Sequence, residues 1–388
     1  PNESWENNEN NNWVEVLKKV GAAITHAQHS VEVIQRELGK DFPIIACPAP
    51  IPSNCFAKPQ QIINKQVGEQ YELSITKSVI DTANLNLQEV HAQKDTAQRI
   101  EITHSLLQRW SHEVLEDMIP SSLYGFIRNT YLITGTLVAR SLRSLQYLIG
   151  NRKANTTSPF LEAKKENTTS ISGIIYTSIL NIWDHRKNHH DMISAFCHAF
   201  QDKADATLII KTPQIADLYL FREKIINLLR RLPKFSCRVI VIGYYLNDAA
   251  YAKLMKATTY YVNTSYGEGQ CLPLMEYMAA GVPAIAPQTT ALKDYIFSSN
   301  AFVFKTAAVP TAWQHDERRV MRTVHYRPDW YSLIAAYQKS YQVAKTDPAT
   351  YTTMALKANE TMRMHASTEK AQKLLTSFLV EQLKQPQS

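Results

Sequence analysis

Ser265-Tyr266-Gly267-Glu268-Gly269-Gln270-Cys271-Leu272-Pro273-Leu274-Met275-Glu276-Tyr277-Met278-Ala279-Ala280-Gly281-Val282-Pro283 reads as a glycine-punctuated turn running into a helix. It follows an apolar, aromatic run from Thr258 to Val262 with the character of a buried strand. Pro273 sits in the first helical turn, where a missing N–H is tolerated. Ala279-Ala280-Gly281-Val282-Pro283 then ends the helix with a glycine cap and a proline. Strand, loop and helix N-terminus in succession is where α/β proteins place phosphorylated ligands.

Glu268 falls in the loop and Glu276 about one turn inside the helix, too far apart in sequence to form a close carboxylate pair on one helix face. A carboxylate at the loop mouth can accept hydrogen bonds from hydroxyl groups, and one on the helix can take two vicinal hydroxyls in bidentate fashion. The free backbone N–H groups from Gln270 to Leu274, interrupted at Pro273, would face an anion.

The run resembles the E-x7-E donor-site motif of glycosyltransferase family 4, retaining enzymes of the GT-B fold, typically E-G-F-G-L-P-x-x-E-A-M-A-x-G-x-P. Glu268, Gly269, Leu272, Pro273, Glu276, Met278, Ala279, Gly281 and Pro283 fall on it in register, while Gln270, Cys271 and Tyr277 depart from it. The resemblance implies that Glu268 holds the transferred sugar and Glu276 the ribose of a nucleotide sugar, with Gly269, Gln270, Cys271 and Leu272 lining the donor. Cys271 puts a side chain where the family lets backbone approach the donor. The plainer alternative is a βα corner whose glutamates are merely solvated.

Apolar runs recur at Ile174–Ile179, Ala206–Ile210, Arg238–Ile242, Thr259–Val262, Ala284–Ala286 and Phe302–Phe304, with helical patterns between the first five. Met192, Ala195, Phe196 and Ala199, at steps of three and four, give one apolar stripe. The fold class is therefore α/β, with a doubly wound parallel sheet that binds at the carboxyl ends of its strands.

The first of those strands ends in Asn181-Ile182-Trp183-Asp184-His185-Arg186-Lys187-Asn188. Two adjacent cations at a strand-to-helix crossing are placed to neutralise a diphosphate leaving group. Lys187 matches the lysine of the family pattern G-R-L-x-x-x-K; the family's arginine falls on Ile182, and Arg186 supplies the second charge from a different backbone position. Glu268, Lys187 and Arg186 are thus the expected catalytic set. Lys211, ending the next strand, is a further candidate for the donor pocket. After Arg238–Ile242, Tyr244 or Tyr245 is placed to stack on a base, or to serve as a core anchor. Thr289, in Thr289-Thr290, replaces a glycine-rich loop of many relatives and is placed to touch phosphates or sugar. No metal or other cofactor is expected.

With 388 residues, 45% of them apolar, the chain can bury large cores and is long for one compact domain. A net charge of +7 and a pI near 9.0 favour anionic partners. No dense Lys/Arg stripe with interleaved aromatics marks a nucleic-acid binder. The five cysteines are odd in number and show no metal-ligand spacing, which fits reduced thiols in the cytoplasm.

The expected organisation is a partial acceptor-side Rossmann-like domain at 1–55, a helical insertion at 56–170, the donor-binding domain at 171–310 and bracing C-terminal helices at 311–388. Trp13–Val20, Ala22–Thr25, Val31–Leu38 and Pro43–Cys47 read helix, strand, helix, strand, the closing part of such an N-terminal domain; the chain is expected to begin partway through it. His26 and His29 would border the cleft or lie on the surface. In the insertion, Leu107, Trp110, Val114 and Met118, and again Leu142, Leu145 and Leu148, keep helical spacing. From Met118 to Leu161 no acid occurs, while Arg128, Arg140, Arg143, Arg152 and Lys153 punctuate apolar residues. Such a segment fits contact with an anionic membrane surface or with a packed helical face; no run is long enough to span a bilayer.

The family resemblance implies a glycosyltransferase moving a hexose or deoxyhexose from a nucleotide-diphosphate sugar to a glycan or lipid-linked glycan, with retention, in bacterial-type surface polysaccharide assembly at the cytoplasmic side of a membrane. The alternatives are a noncatalytic donor-binding module, or a nucleotide-sugar epimerase or hydrolase of the same fold.

Overall fold

The computed structural model describes residues 13–74, 78–85, 168–213, 218–312 and 322–384. The spaced apolar residues from Leu107 to Leu148 and the acid-free basic stretch up to Leu161 lie outside the described residues.

The N-terminal residues form α1 (Trp13–Val20), β1 (Ala23–Thr25), α2 (Gln28–Leu38) and β2 (Ile44–Ala46). β1 and β2 are parallel, with Ala23 opposite Ile44 and Thr25 opposite Ala46. Val31, Ile34 and Ile44 make their core, with Leu17 and Phe42 packed against it. The helix, strand, helix, strand order agrees with the sequence pattern.

Next come α3 (Pro59–Ile63) and two strands, β3 (Gly68–Ser74) and β4 (Ser78–Asp81). Both belong to the large sheet, so the described part of 56–170 is mainly strand where a helical unit was expected. β3 pairs antiparallel with the start of β5 (Thr168–Ile179), and β4 closes the sheet edge antiparallel to β7 (Arg238–Ile242). The edge is held by a fork of Arg238 onto Asp81: Nε donates to Oδ1 at 2.9 Å and Nη2 to Oδ2 at 2.7 Å.

After β5 the chain alternates through α4 (His189–Ala199), β6 (Ala206–Lys211), α5 (Leu218–Arg231), β7, α6 (Asp248–Ala257), β8 (Tyr260–Val262), α7 (Leu272–Ala279), β9 (Ala284–Ala286) and β10 (Ala301–Val303). The strand order is β10-β9-β8-β5-β6-β7-β4, with every pair parallel except β7 with β4. β6 and β8 are apolar and buried along almost their whole length, as strands covered on both faces must be. Side chains alternate between two cores. On one face Tyr176 packs edge-on to Phe196 of α4; on the other, Ile175 joins Ile209, Ile240 and Leu254 of α6.

The chain runs outward from β5 to β6 and β7, then returns through α6 to β8 on the other side of β5. This reversal places a switch point between β5 and β8, where two strand-end loops splay apart and leave a crevice.

The region after β10 differs from the expected helical run. β11 (Thr306–Ala312) and β12 (Arg322–Pro328) form an antiparallel hairpin first, with Thr306 opposite Pro328 and Ala312 opposite Arg322. Then come α8 (Trp330–Thr346), α9 (Pro348–Ala366) and α10 (Thr368–Lys384), where helices were read in the sequence. Tyr337 of α8 packs on Tyr176, and Met362 of α9 packs into the core around Tyr277. Among the described residues no helix is long and apolar enough to cross a membrane.

Candidate functional site

The loops leaving β5 and β8 meet at the switch point. The first folds into a 3-10 turn, His185–Lys187, begun by Asp184, whose Oδ1 accepts from the Arg186 N–H at 3.0 Å. The turn presents two cations on successive residues. Lys187 Nζ donates to Glu268 Oε1 at 2.6 Å, and Arg186 Nη1 donates to Glu268 Oε2 at 3.1 Å and to the Gly267 carbonyl. Arg186 Nη2 also donates to Asp184 Oδ2 at 3.0 Å. The backbones are tied as well, since Tyr266 N–H donates to the Arg186 carbonyl at 2.8 Å.

Glu268 is only 4% exposed. Its Oε1 also accepts from Ser265 Oγ at 2.6 Å and Asn263 Nδ2 at 3.2 Å, and its N–H donates to Thr290 Oγ1 at 2.9 Å. Burial pushes the carboxyl pKa up, but the charges of Lys187 and then Arg186 leave it below the usual glutamate value. Glu268, Lys187 and Arg186, expected from the sequence to act together, therefore form one cluster, in which Arg186 and Lys187 are balanced by Asp184 and Glu268. Ile182, at the position of the family arginine, is buried.

Cys271 caps α7 with a left-handed backbone, φ 65°. A glycine adopts that conformation without strain, and a cysteine does not. The thiol turns inward and receives a hydrogen bond from Asn263 Nδ2 at 3.1 Å. Burial, with Glu268 next, pushes its pKa up to about 12, so it is a protonated packing group rather than a nucleophile. Asn188 (φ 49°) and Thr290 (φ 47°) are the other non-glycine residues with positive φ among those described. The three stand in the loops after β5, β8 and β9. Left-handed backbone in a β-branched threonine is costly, and such strain collects at functional loops.

Gln270 reaches away from the cluster, Nε2 donating to the Ala49 carbonyl at 3.2 Å, while Tyr295 Oη donates to its carbonyl at 2.6 Å. Gly269 and Leu272 are exposed at the loop mouth. Glu276 faces a separate cavity of about 870 Å³, whose walls include Phe56, Lys65, Tyr71, Tyr251 and Met255. Tyr251 Oη donates to Glu276 Oε2 at 2.5 Å. Lys65 Nζ donates to the Thr258 carbonyl at 2.5 Å, and burial lowers its pKa to about 8.

Among the described residues, the side chains of the other candidates make no hydrogen bond to the cluster. Lys211 ends β6, its carbonyl accepting from Leu180 N–H at 3.0 Å and its amine pKa lowered by burial. Tyr244 packs against the core around Leu246, and Tyr245 is exposed. Thr289 is buried directly before Thr290, with no hydrogen-bond partner for its Oγ1 among the described residues. His26 Nδ1 lies 3.3 Å from the Cys47 carbonyl, and His29 Nδ1 lies 4.0 Å from Glu32.

Asn263, Ser265, Tyr251 and His325 were not anticipated. The polar run Asn263-Thr264-Ser265, directly after a wholly apolar strand, was a signal for the first two. His325 lies on β12, its ring stacked on Tyr266 with centroids 5.0 Å apart, and Tyr326 N–H donates to the Tyr266 carbonyl at 2.8 Å. Nothing in the sequence brought that hairpin to the loop.

Residues 173–320 match the family model described as "Glycosyl transferases group 1", less than half of the 388-residue chain. This segment is a group 1 glycosyltransferase domain. No curated protein matches the chain. Solved structures similar to it include sucrose-phosphate synthase from Thermosynechococcus elongatus, at 14% identity, TM-score 0.47, covering 95% of this chain and 61% of that one. HepE from Anabaena, in complex with UDP and glucose, aligns at 10% identity with TM-score 0.49, covering 95% and 67%. The C-terminal domain of the group 1 family protein LpcC from Francisella tularensis aligns at 16% with TM-score 0.37, covering 51% and 89%. The chain thus spans about three fifths of the sucrose-phosphate synthase structure.

Proposed function

We propose that the Glu268 cluster and the Glu276 cavity bind a nucleotide-diphosphate sugar, and that the protein transfers its hexose or deoxyhexose, with retention, to a hydroxyl of a glycan or lipid-linked glycan. Surface polysaccharide assembly at the cytoplasmic face of a membrane is the setting this reading favours. One observation carries it: Glu268 and Lys187, 81 positions apart in sequence, meet at 2.6 Å across the switch point of the sheet.

In this reading the sugar lies at the loop mouth beside Gly269 and Leu272, with Glu268 accepting from its hydroxyls. The diphosphate faces the N-terminus of α7, where the helix dipole and the Lys187 and Arg186 charges oppose the negative charge that grows on the leaving group. Both cations are already engaged by carboxylates, so the incoming phosphate shares them with Glu268 and Asp184. Glu276 takes the ribose hydroxyls, and Tyr251, now on its Oε2, yields or bridges. A cavity of about 870 Å³ is within the range that holds drug-sized ligands.

The internal neutralisation of the cluster also favours a second reading, a donor-binding module without turnover. Thermal stabilisation by a panel of nucleotide sugars identifies the ligand, since binding to the folded state raises its melting temperature. Product analysis with and without an acceptor then separates transfer from binding. Glu276→Ala is expected to weaken nucleotide binding about tenfold or more, the scale of a lost charged hydrogen bond; an unchanged calorimetric affinity would overturn the assignment of the pocket.

A further inference from the structure

The charge tally at the switch point leaves a diphosphate short of cations. Arg186 and Lys187 face Glu268, and Arg186 faces Asp184 as well, so the cluster carries no surplus positive charge. A nucleoside diphosphate departing from a sugar gains negative charge that these four groups do not answer by themselves.

The β11–β12 hairpin stands beside this cluster. Tyr266 is bonded on both sides through its backbone, its N–H to the Arg186 carbonyl and its carbonyl to the Tyr326 N–H, each at 2.8 Å. The His325 ring lies on the Tyr266 ring at 5.0 Å and 26°. Successive odd positions of β12 share a face, so Arg327 projects from the same face as His325, one step along the strand. The residue opposite Arg327 on β11 is Ala307, which offers no counter-charge. Arg327 is exposed and has no hydrogen-bond or ion-pair partner among the described residues. Burial lowers the His325 pKa, and the charges of Arg327 and Arg186 lower it further.

Building on the donor-site reading, we propose that Arg327 is a third phosphate-binding cation, brought to the donor site by the hairpin and directed at the terminal phosphate of the nucleoside diphosphate. His325 is its positioning residue: stacked on Tyr266, it fixes β12 against the loop that carries Glu268. The uncommitted charge of Arg327 balances what Arg186 and Lys187, already paired, leave over.

A nucleoside monophosphate lacks the phosphate that Arg327 would bind, which makes the comparison of diphosphate with monophosphate the test. Calorimetric titrations of UDP against UMP and of GDP against GMP are made on the full chain as wild type, Arg327→Gln and Arg327→Lys, with melting temperatures to verify folding. Wild type is expected to bind its preferred diphosphate more tightly than the monophosphate. Arg327→Gln should reduce that preference about tenfold while leaving monophosphate affinity unchanged, and Arg327→Lys should restore part of it. If Arg327→Gln keeps the full preference, or weakens both nucleotides equally, the third-cation assignment is overturned and the donor site stands. If wild type binds none of the four nucleotides, the donor-site reading falls, and this assignment with it.

Discussion

Glu268 is ionised in a nearly dry site because two cations and two neutral donors converge on it, and that balance is pH-sensitive in one direction. Its folded pKa lies below the ordinary value of 4.5, so the stability it contributes is present above that value and is lost as pH falls through the lower folded one. Glu268→Gln removes the titrating group and strands Lys187. At pH 7 it should cost about 3 kcal/mol, as expected for breaking a buried pair. In urea titrations the gap between wild type and variant should narrow at pH 3.5; a gap of equal size at both pH values would show that the ion pairs do not hold the site. Cys271 offers a second check at this scale. Cys271→Gly relieves left-handed strain of about 1–2 kcal/mol while giving up the Sγ contacts, whereas Cys271→Ala gives up the contacts and keeps the strain. The glycine variant should therefore be the more stable of the two by denaturant midpoint, and the reverse order would contradict the backbone assigned to this residue. The sequence made Glu268, Lys187 and Arg186 legible as candidates, because charged residues after an apolar strand stand out. It did not show that they pair, since their contact crosses 81 positions and depends on the strand order.

Buried strands announce themselves through unbroken apolar runs, and so Arg238–Ile242 and Ala284–Ala286 were legible to the residue. β3 and the β11–β12 hairpin were not. Gly68-Glu69-Gln70-Tyr71-Glu72-Leu73-Ser74 has only a weak apolar alternation, and β11 contains Pro310, which is tolerated because this two-stranded ribbon lies at the surface. Their positions are set by partners distant in sequence. The clearest is β5, whose first half pairs with β3 and whose second half lies in the main sheet between β8 and β6. Gly173 joins the two halves at φ 83°, and a Cβ there would fall on the carbonyl oxygen of Asp205. The obstruction is backbone and cannot swing aside, and the left-handed conformation adds its own cost. Gly173→Ala should accordingly destabilise by about 3 kcal/mol or more, read as the shift of the urea midpoint. A loss below about 1 kcal/mol would mean that β5 is continuous through this position without need of a glycine.

Stability and the candidate site are joined at the scale of the whole described structure through the segment from Pro48 to Ile63. Ile51 N–H donates to the Ala366 carbonyl at 2.8 Å and Ala57 N–H to the Ala279 carbonyl at 3.1 Å, so this segment is strapped between α9 and the end of α7. Asn359 is the buried clasp: its Nδ2 donates to the carbonyls of Ala57 and Ala279, and its Oδ1 accepts from Arg363 Nε at 2.9 Å. Arg363 in turn covers the Phe56 ring, 4.8 Å from its centroid. Phe56 and neighbouring residues of the strap wall the cavity that holds Glu276. The two carbonyls retain other donors in Arg363 Nη2 and Ala57 N–H, so Asn359→Ala should cost only about 1–2 kcal/mol. Its effect on ligand affinity should be the larger signal, because loosening the strap disorders one wall of the cavity. Arg238→Gln supplies the comparison, since it leaves the buried Asp81 carboxylate with half its fork at the β4–β7 edge of the sheet, and neither residue lines the cavity. With both variants folded, Asn359→Ala should weaken calorimetric nucleotide affinity several-fold, and Arg238→Gln should leave it within experimental error. Equal losses in the two would mean that affinity follows global stability, and the strap would then have no particular part in shaping the Glu276 cavity.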